Sequence, residues 1–289
     1  MPMNLRKIHF TYPGGLEKAY TMSYDDGNDC DIPLVEMMRK YGVKGTFNIN
    51  SGCCPPERME HTVHPWARLP LKELVDLYGD DMEIAVHGKI HPTWDRLPSP
   101  NAMQDILDDR RELERASGRI IRGAACPNGS YNDDVVDILR LAGFVYCRAT
   151  GTTNVFKRLP TDWLRLQSTT RNTDPKCLEL AEQFVRPHSP TGRLWLYYIY
   201  GHSYEFVRDD SWDVIETVLR TVSGRSDIWY ATNIEIFDYL AAAKLVRFDI
   251  DMSRAYNPTD TEIWLKVTHG AEDVEYLPVP PAKEVLLPD

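Results

Sequence analysis

Two short stretches carry side chains that could act on one substrate together. Ser23-Tyr24-Asp25-Asp26-Gly27 sets two carboxylates side by side at the end of an apolar run. His87-Gly88-Lys89-Ile90-His91-Pro92 supplies two imidazoles four residues apart. One carboxylate with two histidines can hold a divalent metal ion and still leave coordination positions open for water and substrate. The second carboxylate would then be free to act as a base. A third histidine, His202, follows the apolar run 194–200 and a glycine, and Asn128 lies in a Pro-Asn-Gly turn. Each has a plainer reading on its own: Asp-Asp-Gly is a common turn, HxxxH can be a helix face, and His202 can be a satisfied core histidine.

Position along the chain joins these residues. Lys18 to Tyr24 reads as a short buried strand ending at the Asp-Asp-Gly turn. Residues 33–41 (PLVEMMRKY) have helical spacing with Gly42 as the stop, and 43–49 (VKGTFNI) read as a second strand. Strand, helix, strand within about thirty residues implies a parallel pair. Residues 82–86 (MEIAV) run directly into His87, 100–117 form a charged helix ended by Gly118, and 119–125 read as a fourth strand before Asn128. The pattern continues through 133–141, 144–148, 194–200, 212–222, 228–230 and 234–243. The expected fold is therefore α/β, a deformed (β/α) barrel of about seven strands. Asp25, Asp26, His87, Asn128 and His202 all fall where barrel strands end, which is where such barrels build their active sites. From Phe248 onward the pattern becomes β-like, with 262–267 (EIWLKV) as its clearest strand. This gives a barrel over 1–247 and a C-terminal extension over 248–289 packed on it. The long loop from Asn50 to Leu69 holds His61 and His64, either of which could add a ligand.

Composition narrows the partners. Hydrophobic residues make up 43% of the 289, enough for a sizeable core, and the net charge is −10. An acidic balance disfavours nucleic acid and anionic membranes, both of which reward basic patches. The six cysteines show no CxxC pairing and read as free thiols in a reducing compartment. The first residues contain no apolar signal segment and no stretch is long enough to span a bilayer, so a cytoplasmic location is expected. Trp94, Trp163 and Trp229 are candidates to line a carbohydrate cleft, against the alternative of core packing.

From about Tyr20 to Leu240 the chain resembles the polysaccharide deacetylases of the NodB-homology type, carbohydrate esterase family 4. SYDDG resembles the family's TFDDG motif, and VKGTFNINSG the strand after it. EIAVHGKIHP resembles its H-x-x-x-H-P motif, PNGSYNDDVVDILRLAGF its third motif and helix, and the Gly201-His202 strand end its last. The resemblance implies one divalent metal, zinc or alternatively cobalt or nickel, held by Asp26, His87 and His91. It implies that Asp25 is the general base for the metal-bound water, that the backbone N–H of Asn128 helps hold the oxyanion, and that His202 is the general acid for the leaving amine. The implied substrate is an N-acetylated amino sugar. A non-sugar amide on the same fold is the alternative, and a sugar-binding protein without turnover a third.

Two departures stand out. The family's third motif carries an arginine four residues before the glycine, a position held here by Ala125, while Arg122 lies seven before Gly129. Arg122 or another arginine, such as Arg165, would have to tune Asp25. Asp162-Trp163 is similar to the motif whose aspartate supports that arginine and whose tryptophan walls the acid histidine. The leucine that usually precedes the last histidine is replaced by Tyr200-Gly201, which implies a differently shaped acetyl pocket.

Overall fold

The computed structural model describes residues 6–59, 64–157, 159–187, 193–269 and 273–288. His61 lies outside them. The strands are β1 (Arg6–Thr11), β2 (Lys18–Asp25), β3 (Gly45–Ile49), β4 (Glu83–Val86), β5 (Gly123–Ala125), β6 (Tyr146–Thr152), β7 (Leu166–Ser168), β8 (Thr170–Arg171), β9 (Trp195–Gly201), β10 (Ile228–Tyr230), β11 (Arg247–Phe248), β12 (Arg254–Tyr256), β13 (Ile263–His269), β14 (Asp273–Val279) and β15 (Glu284–Leu286). The helices are α1 (Asp31–Lys40), α2 (Leu71–Tyr78), α3 (Ser99–Ser117), α4 (Asp133–Leu141), α5 (Cys177–Val185), α6 (Tyr204–Arg208), α7 (Trp212–Val222) and α8 (Asn233–Ala243).

Every residue of β2 is buried, as a strand covered on both faces must be, and its apolar content supplies that burial. It sits near the middle of a parallel sheet ordered β7-β6-β5-β4-β3-β2-β9-β8, with β10 also pairing with β2. Only Thr169 separates β7 from β8, yet the two stand at opposite ends of that order. The sheet must therefore curl until its ends meet, which makes it a deformed barrel joined by the chain itself. With three and two residues and no helix between them, β7 and β8 leave no strand-then-helix signal in the sequence. The expected strand over 119–125 is shorter than its pattern, since only Gly123–Ala125 pairs.

The helices follow their apolar stripes. In α1, Leu34, Val35 and Met38 face the core. In α3, Ala102, Ile106 and Leu113 do so, with Asp109 buried among them, and Gly118 ends the helix in the left-handed conformation that glycine adopts without strain. Helix α8 opens with a capping box in which Thr232 and Glu235 each satisfy the other's backbone N–H. Among the described residues no helix is long and apolar enough to cross a membrane.

The final strands form two small sheets, β11-β12-β15 and β1-β13-β14. Strand β1 thus pairs antiparallel with β13, so the first described strand belongs with the last part of the chain. Beside it Lys266 Nζ meets Glu17 Oε1 at 2.5 Å, and both side chains are buried.

Candidate active site

Asp25 ends β2, and its carboxylate is almost completely buried. Burial alone would favour its neutral form. The Arg148 guanidinium overrides that, donating from Nη2 to Oδ1 at 2.7 Å and to Oδ2 at 2.5 Å. With added help from His87, His202 and the Asn48 amide (Nδ2 to Oδ1, 2.8 Å), the Asp25 pKa falls to about 2. Asp25 is therefore ionised at neutral pH. Arg148 lies within β6, fully buried, with its guanidinium 4.7 Å from the centre of the Tyr200 ring.

Asp26 leaves the strand direction. Its φ of +84° is a strained conformation for a residue with a side chain. Arg68 clamps it, donating to the Asp26 backbone oxygen at 2.6 Å and to Oδ1 at 3.2 Å. His87 follows β4, and its Nδ1 lies 2.9 Å from the Ala125 carbonyl oxygen. A carbonyl can only accept, so Nδ1 carries the proton and Nε2 keeps its lone pair free. Burial also pushes the His87 pKa down, so the ring is neutral and able to ligate. His91 comes back over the same spot, its ring 4.9 Å from that of His87 and its Nε2 3.8 Å from Asp26 Oδ1. One donor atom each from Asp26, His87 and His91 lies within 4.8 Å of the others. Two imidazole nitrogens and one carboxylate oxygen suit a borderline divalent cation such as zinc, cobalt or nickel.

His202 closes the site from β9. Its Nε2 is 3.9 Å from Asp25 Oδ2 and 3.9 Å from Asp26 Oδ2. Burial works against its charge, but Glu205 and the two aspartates outweigh it and hold its pKa above the ordinary value. Glu205 is one turn on and fully buried, with Oε1 3.5 Å from His202 Nδ1 and Oε2 accepting from the His202 backbone N–H at 3.2 Å. The 3.5 Å separation is that of an ion pair more than of a tight hydrogen bond. Arg171 pairs with the same carboxylate.

These groups line a cavity of about 430 Å³ together with Cys126, Asn128, Gly129, Thr150, Tyr200 and Tyr204. Asn128 stands at its rim with φ +57°, its Nδ2 donating to Thr93 Oγ1 at 2.9 Å. Gly129 has no room for a side chain: a Cβ there would come within 2.1 Å of Thr150. One wall is a column of rings in which His64 stacks on Trp66 (4.8 Å), Trp66 on Tyr204 (4.9 Å), and Tyr204 leans on His202 (4.9 Å). His64 serves this column, and it is the tyrosines that reach the cavity. Trp94 is fully buried, and Trp229 packs against Tyr12 and Tyr239.

Five of the residues singled out in the sequence thus converge with Asn128, and four do not. Arg122 points away and pairs with Asp238 at 2.5 Å. Arg165 pairs with Asp133 and Asp162. Asp162 caps the turn at Trp163–Arg165 by accepting from the Leu164 N–H, and Trp163 packs edge-on against Phe237. The guanidinium on Asp25 is that of Arg148, and the carboxylate on His202 is that of Glu205. Register explains the first exchange. Ala125, the position where the motif's arginine would stand, pairs directly with Arg148 on the adjacent strand. The signal was an arginine at the end of a buried apolar strand, which needs a partner of opposite charge. Replacing Arg122 by alanine is accordingly expected to change stability by no more than about 1 kcal/mol and to leave kcat/KM unmoved. Thermal melts and turnover measurements check this.

Residues 14–147 match the polysaccharide deacetylase family. No curated protein matches. Among solved structures, the chain is similar to a protein from Mycobacterium smegmatis described as a polysaccharide deacetylase (15% identity, 82% of this chain and 94% of that one, TM-score 0.56). It is similar also to a family 4 carbohydrate esterase from Streptomyces lividans solved with acetate (14% identity, 75% and 93%, TM-score 0.50). The match to a Streptococcus pyogenes deacetylase, also solved with acetate, spans 45% of this chain and 55% of that one at 21% identity, with a TM-score of 0.40. At these identities the first two likenesses establish a shared fold.

Proposed function

We propose, for a chain whose residues 14–147 belong to the polysaccharide deacetylase family, that it is a metal-dependent hydrolase removing N-acetyl groups from amino sugars. The observation that carries this reading is the gathering of Asp26, His87 and His91 donor atoms within 4.8 Å, directly beside the Asp25–Arg148 pair and His202. Asp26, His87 and His91 would hold the cation. When bound, a divalent ion supplies a more acidic water and a polarised carbonyl.

The chain's own groups do the remaining work. Asp25, kept ionised by Arg148, accepts the proton of the attacking water. The backbone N–H of Asn128, at the cavity rim, donates to the oxyanion as the carbonyl becomes tetrahedral. His202, whose pKa is raised by Glu205 and the two aspartates against the opposing effect of burial, gives its proton to the departing nitrogen, without which the amine would leave as an unstable anion. Tyr200 and Tyr204 give the sugar or acetyl methyl apolar surface to rest on.

The test is acetate release from chito-oligosaccharides by protein of known metal content. Dialysis against a chelator is expected to abolish release, and zinc, cobalt or nickel to restore it. Acetate release that survives chelation in protein free of metal by elemental analysis would remove the reading. One feature favours a second reading. Tyr200 stands where the family has a leucine, and its ring, anchored by a 2.8 Å hydrogen bond to the Thr150 carbonyl, narrows the acetyl side of the cavity. A metal-loaded protein that releases no acetate from any N-acetyl sugar but cleaves a non-sugar amide would establish that alternative.

A further inference from the structure

Helix α3 turns two carboxylates, Asp105 and Asp109, one turn apart on one face, toward the backbone of the histidine loop. Asp109 is fully buried. Its Oδ2 accepts from the His87 N–H at 3.1 Å and its Oδ1 from the Ser51 N–H at 2.8 Å. Asp105 takes the middle of the loop. Its Oδ2 accepts from the Lys89 N–H at 3.2 Å, and its Oδ1 from the Ile90 N–H at 3.4 Å. Trp94 Nε1 fixes Asp105 in turn, donating at 2.9 Å. Opposite, Asn50 Nδ2 donates to the carbonyls of His87 and Gly88 at 2.5 and 2.8 Å. Gly88 is pressed so closely against Asp105 that a Cβ would meet its Oδ2 at 2.9 Å, at a φ of +76°.

A buried carboxylate is costly unless its hydrogen bonds are made, and here the bonds go to the loop that carries two imidazoles. Neither carboxylate belongs to the group of donor atoms formed by Asp26, His87 and His91. We propose that Asp109 and Asp105 are positioning residues that aim His87 and His91 at a divalent cation by fixing the backbone from 87 to 90. This rests on the metal-site reading above. An imidazole moves with its own Cα, so releasing the loop lets the two Nε2 atoms drift from a shared focus even though both rings remain. The acceptor geometry is also demanding. Two N–H groups converge on the two oxygens of Asp109, and an amide in its place could accept from only one of them while aiming its own NH2 at the other.

The experiment titrates zinc ion into the metal-free full chain by calorimetry, with thermal melts of each metal-free protein. Asp109→Asn and Asp105→Asn are expected to weaken zinc binding about 10–100-fold, with the metal-free melting temperature of Asp105→Asn close to that of the parent. Asp108→Asn removes the same charge from the same helix at a residue that pairs with Arg111, and it is expected to leave zinc affinity unchanged. Should Asp109→Asn fail to fold, Asp105→Asn, on a half-buried residue, carries the test. Parental zinc affinity in Asp105→Asn would overturn the proposal, as would an equal loss in Asp108→Asn, which would make the effect one of charge and not of position. A parent protein that takes up no zinc, cobalt or nickel would overturn the metal-site reading and this inference with it, whereas the former outcomes overturn this inference alone.

Discussion

Asp25→Asn is expected to lower kcat for acetate release by about 10²–10⁴-fold, the usual contribution of a positioned base, while the protein still binds one equivalent of metal. The two adjacent carboxylates sit in different surroundings, and this predicts different losses. Asp25 is buried against Arg148 and Asn48. Asp26 is turned out of the strand toward His91 and Arg68. Asp26→Asn should therefore lose metal, and Asp25→Asn should lose turnover with metal retained. Elemental analysis beside the activity assay separates the two. Unchanged activity in Asp25→Asn would dismiss Asp25 as the base. The asparagine also leaves the Arg148 charge buried without its partner, so the variant should lose about 3–5 kcal/mol of stability. Its kinetics belong at a temperature where melts show it folded.

Arg148→Met is expected to cost a similar ~3–5 kcal/mol at neutral pH, because it strands a buried carboxylate. The double variant Asp25→Asn with Arg148→Met should recover much of that loss, since neither charge then remains unpaired, and its coupling energy measures the pair directly. The pH dependence has a definite sign. The Asp25 pKa in the folded metal-free protein is about 2, below the ordinary 3.8. Its contribution is therefore present above about pH 4 and is lost as pH falls toward 2. At about 1.4 kcal/mol per unit it amounts to roughly 2 kcal/mol. Without Arg148 the largest cause of the depression is gone, so that acid loss should shrink or reverse. Denaturant melts of the metal-free proteins between pH 2 and 7 would show it. If the parent and Arg148→Met lose stability equally on acidification, the guanidinium is not what holds Asp25 charged.

The residues legible in the sequence were those whose neighbours along the chain announce them. Asp25, Asp26, His87 and His202 each fall where an apolar strand ends, His91 follows His87 by four residues in the same loop, and parallel strands of one barrel deliver their ends to one place. The partners that tune them could not be read in this way. Arg148 and Asp25 are 123 residues apart, and nothing near either names the other. Arg122 was the natural candidate because it lies on the segment leading to Asn128, yet the guanidinium had only to come from the next strand in register. Asp162 was expected to support the arginine on Asp25 and instead caps the turn at 163–165, while the carboxylate on His202 comes from Glu205, three residues on, by local helix geometry. A carboxylate at i+3 beside a histidine is common on any helical turn, so that signal was present but weak. Asp105 and Asp109 read as ordinary charges on a charged helix. Spacing from Ile106 and Leu113 puts Asp109 on the apolar face, but only packing shows which backbone groups it holds.

The pairing of β1 with β13 gives the molecule a schedule as well as a shape. Glu17, at the threshold of the barrel's first strand, meets its counter-ion Lys266 only after 249 further residues have been made. At about 5–20 residues per second that is a wait of roughly 12–50 s. For that interval β1 has lost neither its hydrogen-bonding groups nor its hydrophobic face, and it has nothing of its own to pair with. The active-site strands β2 to β6 can assemble in order as they emerge, whereas the seam that ties the start of the chain to its last quarter must be the final event. A ribosome-stalled chain ending before 263 should therefore present β1 to proteases and chaperones, with the barrel beneath it already formed.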